Sequence, residues 1–202
     1  MTAVSELELA GWRRSVAELY AAVRAEGDAE GGHERWRAGR DRLFRTHPQS
    51  PLLADDPLRH SGLPYWGYER TLRFTLPLLA PAAPRTLSLP TDRSGDTKMR
   101  LVGHLELPAP VGVTIDVWWL EQYAGGLFLP LRDRTAGSTS YGGGRYLLDT
   151  AKGADLGGSS GELIVDLNFL YHPSCRYNPA WQCPLAPAGN VVDVPIQAGE
   201  RL

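Results

Sequence analysis

The chain has 202 residues, 43% of them hydrophobic, and a formal net charge of -2 from 21 basic and 23 acidic side chains. That length and apolar content suit one ample domain with a real core, and so even a charge argues against the one-sided basic face that nucleic-acid binding needs. No apolar run approaches the roughly 20 residues that span a bilayer, and the start Met1-Thr2-Ala3-Val4-Ser5-Glu6 lacks the basic and apolar regions of a signal peptide, so a cytoplasmic protein without a membrane partner is expected.

Leu9, Trp12, Val16, Leu19, Tyr20 and Val23 recur at three- and four-residue spacing, which predicts an amphipathic helix capped near Ser5 and stopped near Gly27. After Gly31-Gly32 a second helix places Trp36, Leu43 and Phe44 on one side, with Arg35, Arg37, Arg40, Asp41 and Arg42 around the rest. The arginines suggest a phosphate site, but a solvated face with local partners Glu34 and Asp41 is the better reading. From His47 to Tyr68, prolines at 48, 51, 57 and 64 forbid a long helix and favour an extended crossing segment anchored by Leu52, Leu63, Tyr65 and Trp66.

Beyond that point the period changes to two. Leu72, Phe74, Leu76 and Leu78 share one side, followed by Leu87 and Leu89. Met99 to Leu107 and Val111 to Trp119 form a predicted hairpin in which Asp116 and Trp118 take the face opposite Ile115 and Val117. Leu127 to Leu131, Tyr146 to Leu148, Leu163 to Phe169 and Val192 to Ile196 complete about eight short strands. With glycines (22) and prolines (16) lying mostly beyond Ser50, these predict a mainly β (α+β) fold: an antiparallel barrel or strongly bent sandwich flanked by two N-terminal helices. A single domain over 1–202 is expected, with a helical segment 1–46, a crossing segment 47–68 and the β region 69–202.

The stretch Asp133 to Tyr146, Asp-Arg-Thr-Ala-Gly-Ser-Thr-Ser-Tyr-Gly-Gly-Gly-Arg-Tyr, stands between two strands and carries far more chemistry than a linker needs. If Asp166 and Asn168 point to one face of their strand, they can meet Asp133 and Arg145 in a polar cluster walled by Tyr141 and Tyr146. In that reading Asp133 and Asp166 are the acid/base candidates, while Tyr141, Gly144, Arg145, Tyr146, Asn168 and Tyr171 bind substrate, Arg145 clamping an anionic group. The competing reading is an Asp133–Arg145 pair that pins the loop, with Asn168 capping a turn.

Several motifs do not lead to chemistry. Gly157-Gly-Ser159-Ser-Gly161 has the spacing of a hydrolase nucleophile, with Asp166 and His172 in hydrolase order, but the serine precedes a strand where that motif needs a helix. Gly142 to Gly144 lack the Lys-Ser/Thr of a phosphate loop, and the run predicts positive φ or close backbone approach at one glycine or more. Cys175 and Cys183, with His172 and Asp166, do not match zinc-site spacing. Metal, disulfide and two reduced thiols remain open, the last favoured by a cytoplasmic setting. No cofactor is expected. His33, His47, His60 and His104 are read as surface or loop residues.

Ser50-Pro51-Leu52, Gly62-Leu63-Pro64-Tyr65, Asp133-Arg-Thr-Ala-Gly, Tyr141-Gly-Gly-Gly-Arg-Tyr146, Asp166-Leu-Asn168, Tyr171-His-Pro-Ser-Cys175, Cys183-Pro-Leu and Ala198-Gly-Glu200 together resemble the bacterial and archaeal family called domain of unknown function 1684. The resemblance spans nearly the whole chain and implies a family without an activity. That family more often has Glu at the position of Thr139, Thr at Ser140, Asn at His172 and Glu at Gly189, so this chain lacks two of its carboxylates. Two function classes follow from the residues: a small enzyme acting on a polar or anionic metabolite by acid/base chemistry, or a ligand-binding module without turnover. A structural partner in an assembly is the third reading, and self-association as a homodimer stays open.

Overall fold

A computed structural model gives the fold and describes residues 3–90, 96–121 and 123–202. Helix α1 (Ala3–Arg24) buries or half-buries the face carrying Trp12, Val16, Leu19, Tyr20 and Val23. Helix α2 (Ala29–Thr46) returns antiparallel to it: Trp12 meets Phe44 with ring centroids 5.7 Å apart, Trp36 Nε1 donates to Tyr20 at 3.1 Å, and Gly32 lies against Val23. The helices approach so closely at Gly39 that a Cβ there would run into Leu19. Two sequence boundaries are corrected. Ser5 lies inside α1, and Gly31-Gly32 lie inside the first turns of α2, whose N-cap is Asp28, its carboxylate accepting from Gly31 N at 2.8 Å.

The crossing segment contains one short helix, α3 (Leu58–Ser61), and buries Leu52, Leu63 and Tyr65, while Trp66 is half-buried. Strands β1 (Arg73–Pro77), β2 (Thr86–Pro90), β3 (Asp96–Leu107), β4 (Val113–Leu120), β5 (Gly126–Leu131), β6 (Arg145–Asp149), β7 (Gly158–Ser159) and β8 (Glu162–Asp166) form two antiparallel sheets. One has the order β2-β3-β4-β5-β6, the other β1-β8-β7. The predicted hairpin is β3–β4, with Leu105 opposite Ile115. The outer strands β2 and β6 do not pair with each other among the described residues, so no closed barrel forms. Buried residues of α1, α2 and both sheets belong to one hydrophobic cluster. Among the described residues no helix is long and apolar enough to cross a membrane.

Two more expectations, for Val192 to Ile196 and for His33, are corrected by partners distant in sequence. Val192 to Ile196 is not a strand. It runs beside the chain after β5, with Val192 N donating to Arg132 O and Arg134 N to Val194 O, but Pro195 has no N–H and Ile196 N goes to the Asp133 carboxylate. The second face of β4 is covered: Asp116 and Trp118 are buried, Asp116 by Arg85 and His104 and Trp118 by a bond from its Nε1 to Asn190. His33 is a core residue, 1% exposed and stacked on Trp36. Gly157 to Gly161 builds the β7–β8 hairpin, with Ser159 paired to Glu162 across Ser160 and Gly161, both at positive φ.

Candidate functional site

The loop 132–144 between β5 and β6 is held from inside. Asp133 accepts from Thr135 Oγ1 at 2.9 Å, and Thr135 Oγ1 meets Ser140 Oγ at 2.8 Å. Arg145, 1% exposed at the start of β6, donates from Nη2 to Asp133 Oδ1 at 3.2 Å and to Ile196 O at 2.8 Å, and from Nη1 to Glu200 O at 3.1 Å and to Ala198 O. Its Nε has no hydrogen-bond partner among the described residues. Burial pushes its pKa down and the Asp133 charge opposes that. The fork that a ligand would need is therefore engaged with the C-terminal backbone, which explains why an arginine stands there. Gly144, at φ +88, fits because its α-carbon packs on the Leu131 carbonyl, where a Cβ would come within 2.7 Å.

Asp166 and Asn168 do not share a strand face. β8 stops at Asp166, which caps a 3-10 turn over Leu167–Phe169 by accepting from Asn168 N at 3.0 Å. Its other oxygen accepts from Tyr68 at 3.0 Å and Arg73 at 3.1 Å. Asn168 exchanges two bonds with the Glu69 backbone and accepts His33 Nε2 on its carbonyl at 3.0 Å. Both side chains are fully buried, and their partners come from the crossing segment, β1 and α2, where Asp133 and Arg145 hold the C-terminal segment. The hydrogen bonds thus divide the expected polar cluster between two fastenings.

Tyr141, Tyr146 and Tyr171 come together differently. Tyr146 and Tyr171 exchange backbone bonds at 2.8 and 3.0 Å with rings 5.8 Å apart, and Tyr141 N donates to His172 Nε2 at 3.1 Å. Tyr146 and Tyr171 wall a cavity of about 220 Å³ between the helices and the sheet, closed on the helical side by Trp12, Tyr20, Arg40 and Phe44. A second cavity of about 310 Å³ shares Arg13, Tyr146, Lys152, Gln182 and Cys183 with it. Among the described residues no carboxylate lines the smaller one.

Arg40, its side chain 12% exposed, is the inward cation of this wall. Its Nε donates to Glu200 Oε1 at 2.5 Å and its Nη2 to Glu200 Oε2 and the His172 carbonyl, both at 3.2 Å, while its guanidinium stands 4.5 Å from the Phe44 ring centroid and 4.7 Å from that of Tyr171. Glu200, fully buried, also accepts from His172 N at 2.5 Å and Tyr177 at 3.1 Å. Burial raises its pKa, but Arg40, His172 and these bonds outweigh that and leave the group below the ordinary carboxylate value. His172 is pushed down to about 4, mainly by burial. It is neutral at pH 7 and carries its proton on Nδ1, 3.6 Å from Glu200, because Nε2 accepts from Tyr141.

Arg40 and Glu200 are the residues that the solvated-face reading of α2 missed. The signal was present: Trp36, Arg40 and Phe44 stand four apart on one helix face, so an arginine occupies a core position. Cys175 and Cys183 are free thiols, Cys183 lining both cavities, and Tyr141 Oη lies 3.8 Å from Cys175 Sγ. Among the described residues no group of three or more His, Cys, Asp or Glu side chains is placed to hold a metal ion.

The chain is similar to the solution NMR structure of an uncharacterised protein of Haloarcula marismortui, with 30% sequence identity and a TM-score of 0.57 over 82% of this chain and 90% of that one. No curated protein matches it. The model of one family, described as a protein of unknown function, matches residues 59–201, the end of the crossing segment and the β region behind α1 and α2. The chain therefore belongs to the DUF1684 family.

Proposed function

We propose that this protein binds a small molecule in the cleft between its helical hairpin and β6, as a binding module without turnover. The observation that carries this reading is the cavity itself: aromatic walls from Trp12, Phe44, Tyr146 and Tyr171 with Arg13, Arg40, Gln49, Lys152 and His172 set among them, and a neighbouring cavity that continues it past Tyr146 and Cys183. Binding is favoured over acid/base catalysis because Asp133 and Asp166 have their oxygens engaged by protein donors and line neither cavity, and both nitrogens of His172 face protein groups. The two free thiols suit the reducing cytoplasm.

A ligand-observed NMR screen of a mixed metabolite library tests this against Val16→Phe, which fills the cavity from α1. Compounds bound by the parent and released by a folded Val16→Phe are expected. A library without a binder, or binders indifferent to Val16→Phe, would refute the reading.

A further inference from the structure

Three groups on the cavity wall keep donors that the protein does not use. Tyr171, about nine-tenths buried, has a hydroxyl with no hydrogen bond among the described residues. Tyr20, 3% exposed, accepts Trp36 Nε1 on its oxygen while its own proton has no acceptor there. Arg40 uses Nε and Nη2, and its Nη1 bonds to no described residue. Tyr171 Oη and Arg40 Nη1 are not sealed from solvent, since among the described residues only Tyr65 Oη and Arg145 Nε are buried without a partner, so both stand free to donate to an acceptor in the cavity. Burial holds both phenols protonated, with pKa values well above the ordinary one, so they can only donate to an anion.

The charges narrow the acceptor. Among the charged residues lining the cavity, Arg40 is matched by Glu200 and Lys152 by Asp149, while Glu8, bonded to the neutral Gln49, keeps its negative charge outside the lining. Arg13, exposed at the mouth, has neither ion pair nor hydrogen bond among the described residues. The wall thus carries one uncompensated positive charge beside aromatic rings.

From this we infer that the cavity takes an aromatic monocarboxylate, its ring against Phe44 and Tyr146 and its carboxylate received by Tyr20, Tyr171 and Arg40, with Arg13 drawing it in. The inference rests on the ligand-binding reading above and names the ligand class. A dianionic phosphate fits less well, since it brings two charges to a wall with one to offer.

Titrations of benzoate, phenylacetate and 3-phenylpropionate, each against its neutral amide, test it by NMR or calorimetry. At least one acid should bind about tenfold or more tightly than its amide, the scale of a charge-assisted hydrogen bond. Tyr171→Phe and Arg13→Gln, which remove no contact within the protein, should each weaken that acid several-fold and leave the melting temperature unchanged. Amides that bind as well as the acids overturn the ligand class and leave the cavity reading standing. Failure of all six probes, in protein whose cavity binds other library compounds, overturns it too. A library with no cavity binder at all is a different result, since it removes the reading underneath.

Discussion

Arg40 and Glu200, 160 positions apart, meet at 2.5 Å and tie the helical hairpin to the end of the chain. The glutamate is fully buried and its partners include a guanidinium, the His172 amide and the Tyr177 hydroxyl, so this ion pair has the satisfied surroundings that make burial tolerable. Glu200→Gln leaves Arg40 charged and unpaired beside the cavity and should cost on the order of 3–5 kcal/mol in urea unfolding. Arg40→Met combined with Glu200→Gln should lose less than the sum of the single variants. Strict additivity would mean that the two residues do not act as a pair.

Stability should fall on mild acidification, because two buried histidines are neutral in the fold. His33 and His172 are each lowered from 6.5 to about 4 by burial, so the unfolded chain binds protons that the native protein does not, and stability is lost as pH drops from about 6.5 towards 4. Each contributes at most on the order of 3 kcal/mol. Glu200, held below the carboxylate range, loses its contribution only at lower pH. His33→Gln and His172→Asn should therefore each flatten the slope of the urea midpoint between pH 6.5 and 4.5 by about half. Slopes identical to the parent in both variants would assign the acid sensitivity elsewhere.

What was legible in the sequence was whatever depends on near neighbours. The faces of α1 and α2 and the β3–β4 hairpin follow from apolar spacing, and Leu105 does stand opposite Ile115. Asn168 was misplaced because strand alternation continues on paper through Leu167 and Phe169, whereas Asp166 ends the strand by capping the next turn. His33 was taken for a surface or loop residue because its cover, the Asn168 carbonyl, is remote in the chain. Arg145 stood in the most informative loop, but its bonds are to carbonyls of residues 196, 198 and 200, which no local pattern announces. Of the expected walls Tyr141 and Tyr146, Tyr146 lines the cavity and Tyr141 does not, while Arg40 was hidden among the other arginines of its helix.

The three adjacent glycines should differ sharply. Gly142 has only Gly137 backbone near a new Cβ, at 3.8 Å; Gly143 would press on the Tyr141 ring at 2.6 Å; Gly144 combines φ +88 with the Leu131 carbonyl at 2.7 Å. Gly142→Ala should be neutral, Gly143→Ala should shift the Tyr141 ring at small cost, and Gly144→Ala should destabilise by about 1–3 kcal/mol. Thermal unfolding of the three variants checks the order, and equal melting temperatures would reduce the run to a spacer.

Cys183 should be the reactive thiol. It lines the cavity, and Cys175 lies beside it, so that a hydrogen bond from the Cys175 thiol favours the Cys183 thiolate while raising the pKa of Cys175 itself; the Lys152 charge adds to the effect. Iodoacetamide at pH 7 should therefore label Cys183 well before Cys175, as read by peptide mass spectrometry. Cys175→Ala removes the donor and should slow the labelling, whereas Cys175→Ser, whose hydroxyl can still donate, should slow it less. A ligand in the cavity covers the same sulfur, so a bound acid should protect Cys183 in proportion to its occupancy. Labelling of both thiols at one rate, unchanged by Cys175→Ala and by ligand, would show that the pair neither shares a proton nor borders the site.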